Sequence, residues 1–169
     1  MMKKLVSRLE AEIKNPAKGL PEEIFLFASR ITPLITVDLL IKDERGRTLL
    51  TWRDDGYYQP GWHIPGGIVR YKETIAARIA QTALTELGAG VKVSGAPLAV
   101  KEFIHPSRQD RGHSISLLYK CRLTGEPDKG RAFTAGSPKP GQWAWHRACP
   151  ANLFSVHAVY REYLQPKGK

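Results

Sequence analysis

A single glutamate near the end of a predicted helix is the residue best placed to do chemistry in this sequence. Glu86 falls in the last turn of the pattern that runs from Ile75 to Leu87. The helix dipole favours cations at that end and disfavours a carboxylate. The mismatch indicates that Glu86 has a positively charged partner. A divalent metal ion is one candidate for that partner. The other is a lysine side chain, in which case Glu86 is a surface glutamate at the rim of the helix.

The helix that carries Glu86 has clear start and stop signals. The Thr74 hydroxyl can accept from backbone N–H groups of the first turn, and Gly88 suits the left-handed residue that follows a helix. Apolar residues recur at helical spacing and form one stripe: Ala76, Ile79, Ala80, Ala83 and Leu87. The sequence therefore predicts a glycine turn at Gly66–Gly67, a polar lead-in and one helix, with Glu86 on the edge of its apolar stripe.

This stretch resembles the Nudix box, G-x5-E-x7-R-E-U-x-E-E-x-G-U, in which U is a bulky apolar residue. Four fixed positions are in register: Gly67, Glu73, Glu86 and Gly88. Four others are substituted: Gln81, Thr82, Thr85 and Ala89. Most Nudix enzymes use several of the box glutamates to hold divalent metal ions. This chain keeps one of them.

A box reduced to a single late glutamate is similar to that of the GDP-mannose mannosyl hydrolases. The similarity extends over residues 32 to 164 and includes these segments: Thr32-Pro33-Leu34, Asp38, Arg53, Gly61-Trp62, Pro65-Gly66-Gly67 and Glu86-Leu87-Gly88. The resemblance implies an α/β fold, a Nudix-type α/β/α sandwich with a mixed β-sheet. It also implies a metal-dependent hydrolase that cleaves a nucleoside diphosphate from another group, most simply in a nucleotide sugar such as GDP-mannose.

The resemblance also implies roles for four residues. Glu86 and the carbonyl of Gly66 would hold Mg²⁺ or Mn²⁺, which prefer oxygen ligands. Arg53 would lie near the leaving diphosphate, and Asp38 near the sugar. Considered alone, Arg53 could equally be a surface arginine at the end of a strand, and Asp38 a strand residue that points to solvent.

The residue that activates water is not apparent from the resemblance. The related branch carries a glutamine–histidine pair before its last strand, where this chain has Ser137–Gly141. His113 is predicted as the replacement catalytic base, and His105 as a substrate-binding residue that could also serve as the base, because histidine titrates in a useful range. His63 is a third candidate. Glu102 is a candidate second carboxylate ligand, and all of these residues could instead be structural.

The position of attack also stays open at this stage. Most Nudix enzymes direct water to phosphorus, whereas the mannosyl hydrolase branch directs it to the C1 carbon of the sugar. This chain shares the reduced box, Asp38 and Arg53 with the second group, which favours attack at carbon. The missing loop histidine argues against it.

Alternating apolar residues predict strands on both sides of the box helix. Residues 34–41 and 47–53, joined by a turn at 43–46, are predicted to pair as a hairpin. Further strands are predicted at 62–65, 91–93, 96–104, 114–123 and 142–146, and a closing helix at 150–163. Strands covered by helices place the chain in the α/β class.

Residues 1–32 are predicted to form a helical extension ahead of a Nudix hydrolase domain at residues 33–165. The extension contains two amphipathic segments separated by Asn15–Gly19. Phe25 and Phe27 in the second segment need apolar cover. They could pack on the domain, or on a second copy of the chain in a homodimer.

The chain has 169 residues and a formal net charge of +10, which favours anionic partners. Nucleotides, nucleic acid and anionic membranes all fit that charge, and the retained glycines and Glu86 favour a nucleotide substrate over nucleic acid. The rival interpretation is a binding module whose reduced box no longer supports turnover. Cys121 and Cys149 show neither metal-ligand nor disulfide spacing. The absence of an apolar leader or spanning segment predicts a cytoplasmic protein that does not bind membranes.

Overall fold

The computed structural model describes residues 1–165, which form helices and strands joined by short loops. The α-helices are α1 (Met2–Glu12), α2 (Glu22–Ile31), α3 (Ile75–Leu87) and α4 (Arg161–Leu164). The strands are β1 (Leu34–Ile41), β2 (Thr48–Arg53), β3 (Gly61–His63), β4 (Gly66–Ile68), β5 (Val91–Val93), β6 (Ala99–Ile104), β7 (His113–Leu123) and β8 (Trp143–His146). Three short 3₁₀ helices lie at Pro16–Lys18, Lys129–Arg131 and Ser155–Tyr160.

The strands form two sheets. In the larger, mixed sheet, β1 lies between antiparallel β4 and parallel β7, and the other edge of β7 pairs with β6 and then with β5. In the smaller, antiparallel sheet, β2 lies between β3 and β8. The sequence predicted most of these strands to within a few residues.

The predicted hairpin between residues 34–41 and 47–53 is wrong. An isolated bridge between Lys42 and Thr48 closes the turn, and the two strands then separate into different sheets. Both strands are largely buried, and each has partners on both edges. A short turn brings strand ends together, but these partners, distant in sequence, decide which edges pair.

Two apolar cores hold the sheets and helices together. On one face of the mixed sheet, Val37 and Leu39 of β1 pack with Ile79 and Leu87 of α3. The other core combines buried residues of both sheets with the carboxyl-terminal segment: Leu40, Leu50, Trp62, Ile64, Leu118, Leu153, Tyr160 and Leu164. The mixed sheet is therefore covered on both faces, and the predicted α/β sandwich is confirmed.

The ends of α3 follow the predicted signals. Thr74 Oγ1 accepts from the backbone N–H of Ala77 at 3.1 Å, and Gly88 adopts a left-handed conformation with φ 65°. A side chain at residue 88 would be strained at that φ and would also crowd Asp128. These two caps fix where α3 begins and ends, and so fix the position of Glu86 in its last turn, two residues before Gly88.

The predicted closing helix is shorter than expected. Residues 152–154 instead run alongside β3. The backbone N–H of Trp62 donates to the carbonyl of Asn152, and the carbonyl of Trp62 accepts from the backbone N–H of Phe154. Those backbone bonds hold the segment extended. A 3₁₀ helix and α4 follow it.

The amino-terminal helices differ in how they contact the rest of the chain. No residue of α1 is buried, whereas Ser29 of α2 is buried and accepts from the backbone N–H of Arg111 at 3.0 Å. The division into an extension at 1–32 and a domain at 33–165 stays a prediction. Within residues 1–165, no helix is both long enough and apolar enough to cross a membrane.

Candidate active site

One cavity of about 790 Å³ brings together most of the residues that the sequence singled out. Its walls include Asp38, Arg53, Gly66, Glu86, Glu102, His105 and the third histidine candidate, His63. Residues from both sheets, α3 and the loop before β7 therefore meet at one site. His113 is not among the described residues that line it.

Glu86 is half-buried at the end of α3 and faces the smaller sheet. Its Oε2 accepts from the Thr51 hydroxyl of β2 at 3.1 Å. Burial raises the pKa of the Glu86 carboxyl above its ordinary value, although the Thr51 hydrogen bond and the charges of Arg53 and Arg131 oppose the rise. A carboxylate in this position gains from a bound cation, because a cation offsets the cost of desolvation.

Gly66 and Gly67 allow β4 to approach β1 and α3 closely. Gly66 pairs with Asp38 across β1 and β4, and a Cβ at residue 66 would collide with the Asp38 carboxylate. A Cβ at residue 67 would lie 2.5 Å from the Thr82 hydroxyl of α3. Both positions therefore require glycine, and both glycines line the large cavity together with Glu86.

The donors at this site suit a magnesium-like ion that also binds substrate. Glu86 and Gly66 line both the large cavity and a neighbouring one of about 320 Å³. Across residues 1–165, no group of three or more His, Cys, Asp or Glu side chains could hold a metal ion. One carboxylate and one carbonyl fit Mg²⁺ only when phosphate oxygens and water complete its ligands, which is the usual arrangement for this ion.

The contacts around the substituted box positions involve Arg78 and Glu73. Arg78, one turn before Gln81, forms a two-pronged ion pair with Glu73: Nε to Oε2 at 2.8 Å and Nη2 to Oε1 at 2.9 Å. The backbone N–H of Arg70 also donates to Glu73. The Thr82 hydroxyl is buried and has no hydrogen-bond partner in the described structure. The sequence could have indicated this pair, because Arg78 lies about one helical turn before Gln81, the position that carries arginine in the Nudix box.

Asp38 is buried, so the interpretation of a solvent-pointing strand residue is wrong. Its Oδ2 accepts from the hydroxyls of Ser116 and Tyr160, and its Oδ1 lies 4.0 Å from His157 Nε2. Sequence reasoning missed these three partners, because they come from β7 and the closing segment. No local spacing connects them to Asp38.

Two buried histidines lie side by side at the same end of the cavity. The rings of His63 and His157 stack at 5.7 Å with 16° between their planes. His157 Nδ1 accepts from the backbone N–H of Ile64 at 3.0 Å, so its proton in the neutral form is on Nε2. Burial and the charge of Arg53 lower the pKa of both rings, and for His157 these effects outweigh the opposing charge of Asp38.

The hydrogen bonds of Thr51 set the tautomer of His63. Thr51 Oγ1 lies 2.8 Å from His63 Nδ1 and donates its one hydrogen to Glu86. While Glu86 is ionised, His63 must therefore donate from Nδ1, which leaves Nε2 as an acceptor. His63, which lines the cavity, is then a neutral imidazole whose lone pair is on Nε2.

Of the remaining predicted residues, Arg53 and His105 line the cavity, and His113 lies next to a residue that lines it. Arg53 Nε donates to Asp55 at 2.8 Å, and its guanidinium lies over the Phe154 ring. His105 Nδ1 lies 3.2 Å from the Ser107 hydroxyl. His113 Nε2 lies 3.2 Å from Glu102 Oε1, with the two side chains 37% and 58% exposed. The structure thus brings Arg53 and His105 to the site, and places His113 beside it.

Comparisons with known proteins agree with this architecture. The model of the NUDIX domain matches residues 32–164. The low-salt glycan biosynthesis protein Agl8 of Haloferax volcanii is 32% identical over 112 residues, which cover 64% of this chain and 71% of that protein.

Solved structures show the same fold at low sequence identity. A MutT NUDIX hydrolase from Burkholderia pseudomallei has a TM-score of 0.59 and 21% identity, over 79% of this chain and 98% of its own. A NUDIX hydrolase from Nitrosomonas europaea has a TM-score of 0.55 and 14% identity, over 79% and 80%. At these identities, the likeness concerns the arrangement of strands and helices.

Proposed function

Because the chain belongs to the Nudix hydrolase family, we propose that it cleaves a nucleoside diphosphate from a sugar, as in GDP-mannose. The observation that carries this proposal is that one cavity holds both Glu86 and the buried Asp38. Glu86 is suited to the diphosphate end of such a substrate. Asp38 Oδ1 is suited to accept from a sugar hydroxyl. Similarity to a glycan biosynthesis protein supports a sugar-containing substrate.

Mg²⁺ or Mn²⁺ would be held by the Glu86 carboxylate and the Gly66 carbonyl. When bound there, the ion supplies Lewis-acid neutralisation of charge on the diphosphate. Arg53 adds a second positive charge. Its Nε is engaged by Asp55, and its terminal nitrogens can donate to phosphate oxygens in the paired geometry that arginine favours.

We further propose that water attacks the C1 carbon of the sugar. The bond from C1 to the diphosphate oxygen breaks, the water oxygen bonds to C1, and the nucleoside diphosphate leaves with the electron pair. His63 Nε2 accepts the proton of the water, because its Nδ1 is committed to Thr51. His157 Nε2–H and Asp38 remain to orient the sugar.

His113 and His105 are the alternative bases from the sequence. His113 is paired with Glu102, which lines the cavity, and His105 lines the cavity itself. His63 is favoured over both because it is connected to Glu86 through one hydroxyl. A residue that activates water must lie within hydrogen-bond reach of that water in the bound complex.

A screen of nucleotide sugars and dinucleotides with Mg²⁺ or Mn²⁺ tests the function. The measurement is released nucleotide, and the expected result is metal-dependent release of a nucleoside diphosphate from a nucleotide sugar. The matched control is Glu86→Gln, which removes the charged ligand and keeps the side-chain shape. Absence of metal-dependent turnover on every substrate would refute the proposal.

The rival function is a nucleotide- or nucleic-acid-binding module without turnover. The substitutions at Thr82 and Thr85, which leave one box carboxylate near the cavity, favour it. In that case the screen releases no nucleotide, although a separate affinity measurement detects nucleotide binding. Nucleic-acid binding would also weaken steeply as salt increases.

A further inference from the structure

An alternating stack of arginines and aromatic rings lies beside the large cavity, and three of its members line it. In order, the stack contains Tyr58, Arg108, Tyr57, Arg111 and Phe25. Arg108 Cζ lies 5.2 Å from the Tyr58 ring centroid and 4.5 Å from that of Tyr57, and Arg111 Cζ lies 4.9 Å from Tyr57 and 6.0 Å from Phe25. We call these five residues the arginine–aromatic stack.

The stack is assembled from three separate parts of the chain. Its tyrosines come from the loop between β2 and β3, its arginines from the loop between β6 and β7, and its last ring from α2. The Arg108 guanidinium also donates from Nη2 to Asp110 Oδ1 at 3.4 Å, so part of its N–H edge is already engaged. Arg108, Arg111 and Tyr58 all line the large cavity.

The loop at residues 105–112, which we call the arginine loop, is held in a defined conformation. The backbone N–H of His105 donates to the carbonyl of Gly112 at 2.7 Å, and this hydrogen bond closes the loop. Arg111 has a φ of 50°, uncommon for a residue with a side chain, and its N–H donates to the buried Ser29 hydroxyl. Ser29 in turn donates to the carbonyl of Leu26 at 2.8 Å. A hydrogen bond from α2 therefore stabilises the conformation of the loop.

The strand register gives an approximate distance along β1 between Gly66 and the residue that follows the loop between β6 and β7. Gly66 is in register with Asp38 of β1, and Ser114, which follows the arginine loop, is in register with Leu34. Four residues of strand span roughly 13 Å. A nucleotide whose phosphates lie at Glu86 and Gly66 can therefore extend its ribose and base toward the stack.

We infer that the arginine–aromatic stack binds the nucleobase of the substrate, and that it selects a base with ring carbonyl acceptors. Arginine edges only donate hydrogen bonds, so they pair with carbonyl oxygens and ring nitrogens and disfavour an amino group. Tyr58 and His105, whose rings meet edge to face at 5.7 Å, offer aromatic surface for the base. This inference rests on the proposed function, because it assigns the nucleoside part of the same substrate.

The test measures affinity, by calorimetry with Mg²⁺ and the full chain, for GDP, ADP and inorganic pyrophosphate. Wild type should bind GDP more tightly than ADP. Arg108→Ala should weaken GDP binding by roughly 10- to 100-fold, the scale of one stacked base contact, and leave pyrophosphate binding unchanged. Arg122→Ala, an exposed arginine on β7, is the matched control and should change neither.

Arg108→Lys separates recognition from charge. Lysine keeps the charge but loses the planar fork, so it should not restore GDP affinity or the preference over ADP. Restoration by lysine, or an equal loss of pyrophosphate affinity in Arg108→Ala, would overturn the subsite. If wild type binds pyrophosphate but no nucleotide more tightly, the subsite is wrong while the site at Glu86 stands. If wild type binds none of the three, the proposed function itself fails.

Ser29 is assigned as a positioning residue, and its test is kinetic. Ser29→Ala removes the acceptor for the Arg111 N–H. It should raise KM for the nucleotide sugar and leave kcat unchanged, because the loop contacts the base and not the reacting carbon. Ser29→Thr keeps the hydroxyl and should recover the KM. Equal falls in kcat for both variants, or an unchanged KM in Ser29→Ala, would refute the assignment.

Discussion

At the scale of single residues, Glu86 carries the clearest prediction. It is the one box carboxylate that remains at the cavity, and it accepts a hydrogen bond from Thr51. Glu86→Gln should lower kcat by orders of magnitude and raise the Mg²⁺ concentration needed for half-maximal rate, since a neutral amide is a weaker ligand. Glu126→Gln, at an exposed glutamate in a loop, is the control. Near-normal rates at limiting Mg²⁺ would remove Glu86 from the metal site.

The histidines give a second prediction. A general base contributes roughly 10²–10⁴-fold to the rate, so His63→Ala should lose about that factor. His113→Ala should retain most activity, because His113 contacts Glu102 at the margin of the cavity. Circular dichroism and melting of each variant show whether the fold survives removal of a buried ring. A full loss in His113→Ala with normal rates in His63→Ala would reverse the assignment.

The atom that water attacks can be identified directly. Hydrolysis of the nucleotide sugar in oxygen-18 water should place the label in the released sugar, as expected for attack at C1. Mass spectrometry of both products measures it. Label in the nucleoside diphosphate would instead mean attack at phosphorus, and would remove the orienting role of Asp38 toward the sugar.

At the scale of elements, the sequence predicted α3 most accurately. Its caps, Thr74 and Gly88, are local features and are present in the fold. Of the predicted stripe, Ile79, Ala83 and Leu87 are buried in the core, whereas Ala76 and Ala80 are exposed. The hairpin of β1 and β2 failed because strand pairing depends on edges supplied by β4, β7, β3 and β8. Burial on both faces also removes the alternation that would show which face is inward.

The candidate site divides in the same way. Glu86, Gly66, Arg53 and Asp38 were accessible through a motif or a resemblance. His157 and Tyr160 were not, because they reach Asp38 from more than a hundred residues away along the chain. His63 was visible as a residue beside the glycine turn, but its role depends on Thr51 in the neighbouring strand. The features of the site that the sequence could not predict are therefore those that depend on contacts between elements distant along the chain.

The ion pair that opens α3 gives a pH-dependent prediction. Burial alone would raise the pKa of Glu73, but hydrogen bonds from Arg78 and the Arg70 backbone, together with their charges, lower it below the ordinary 4.5. A lowered folded-state pKa means that this stabilisation is complete above the unfolded value. It is lost as pH falls through the folded-state pKa.

Glu73→Gln should therefore cost about 2 kcal/mol at pH 7, the scale of hydrogen bonds to a charged group. The difference from wild type should shrink at pH values well below 4.5, where both carry a neutral side chain at this position. Urea unfolding at both pH values measures it. A cost that does not depend on pH would mean that packing, and not the Arg78 charge, holds Glu73.

At the scale of the whole molecule, the amino-terminal helices leave an apolar surface without cover. Phe25 contacts the Arg111 side chain, but Phe27 is 46% exposed and Ile31 is 68% exposed. Along α1, four apolar side chains are more than 40% exposed: Met2, Leu5, Val6 and Leu9. Packing within the chain thus explains one of the two phenylalanines. A second copy of the chain is the partner that we expect to cover the rest.

The expected result is a dimer of the full-length chain, and a shift toward monomer when Leu5 and Leu9 are both changed to serine. The reason is that each substitution removes apolar area that only a second copy would bury. Light scattering or sedimentation measures the mass. Leu98→Ser is the matched control, since Leu98 is 47% exposed in the turn before β6 and should leave the mass unchanged. Removal of residues 1–14 should act like the double substitution while keeping Ser29 and its contact to the arginine loop. A full-length chain that is already a monomer at working concentration would rule out this interface.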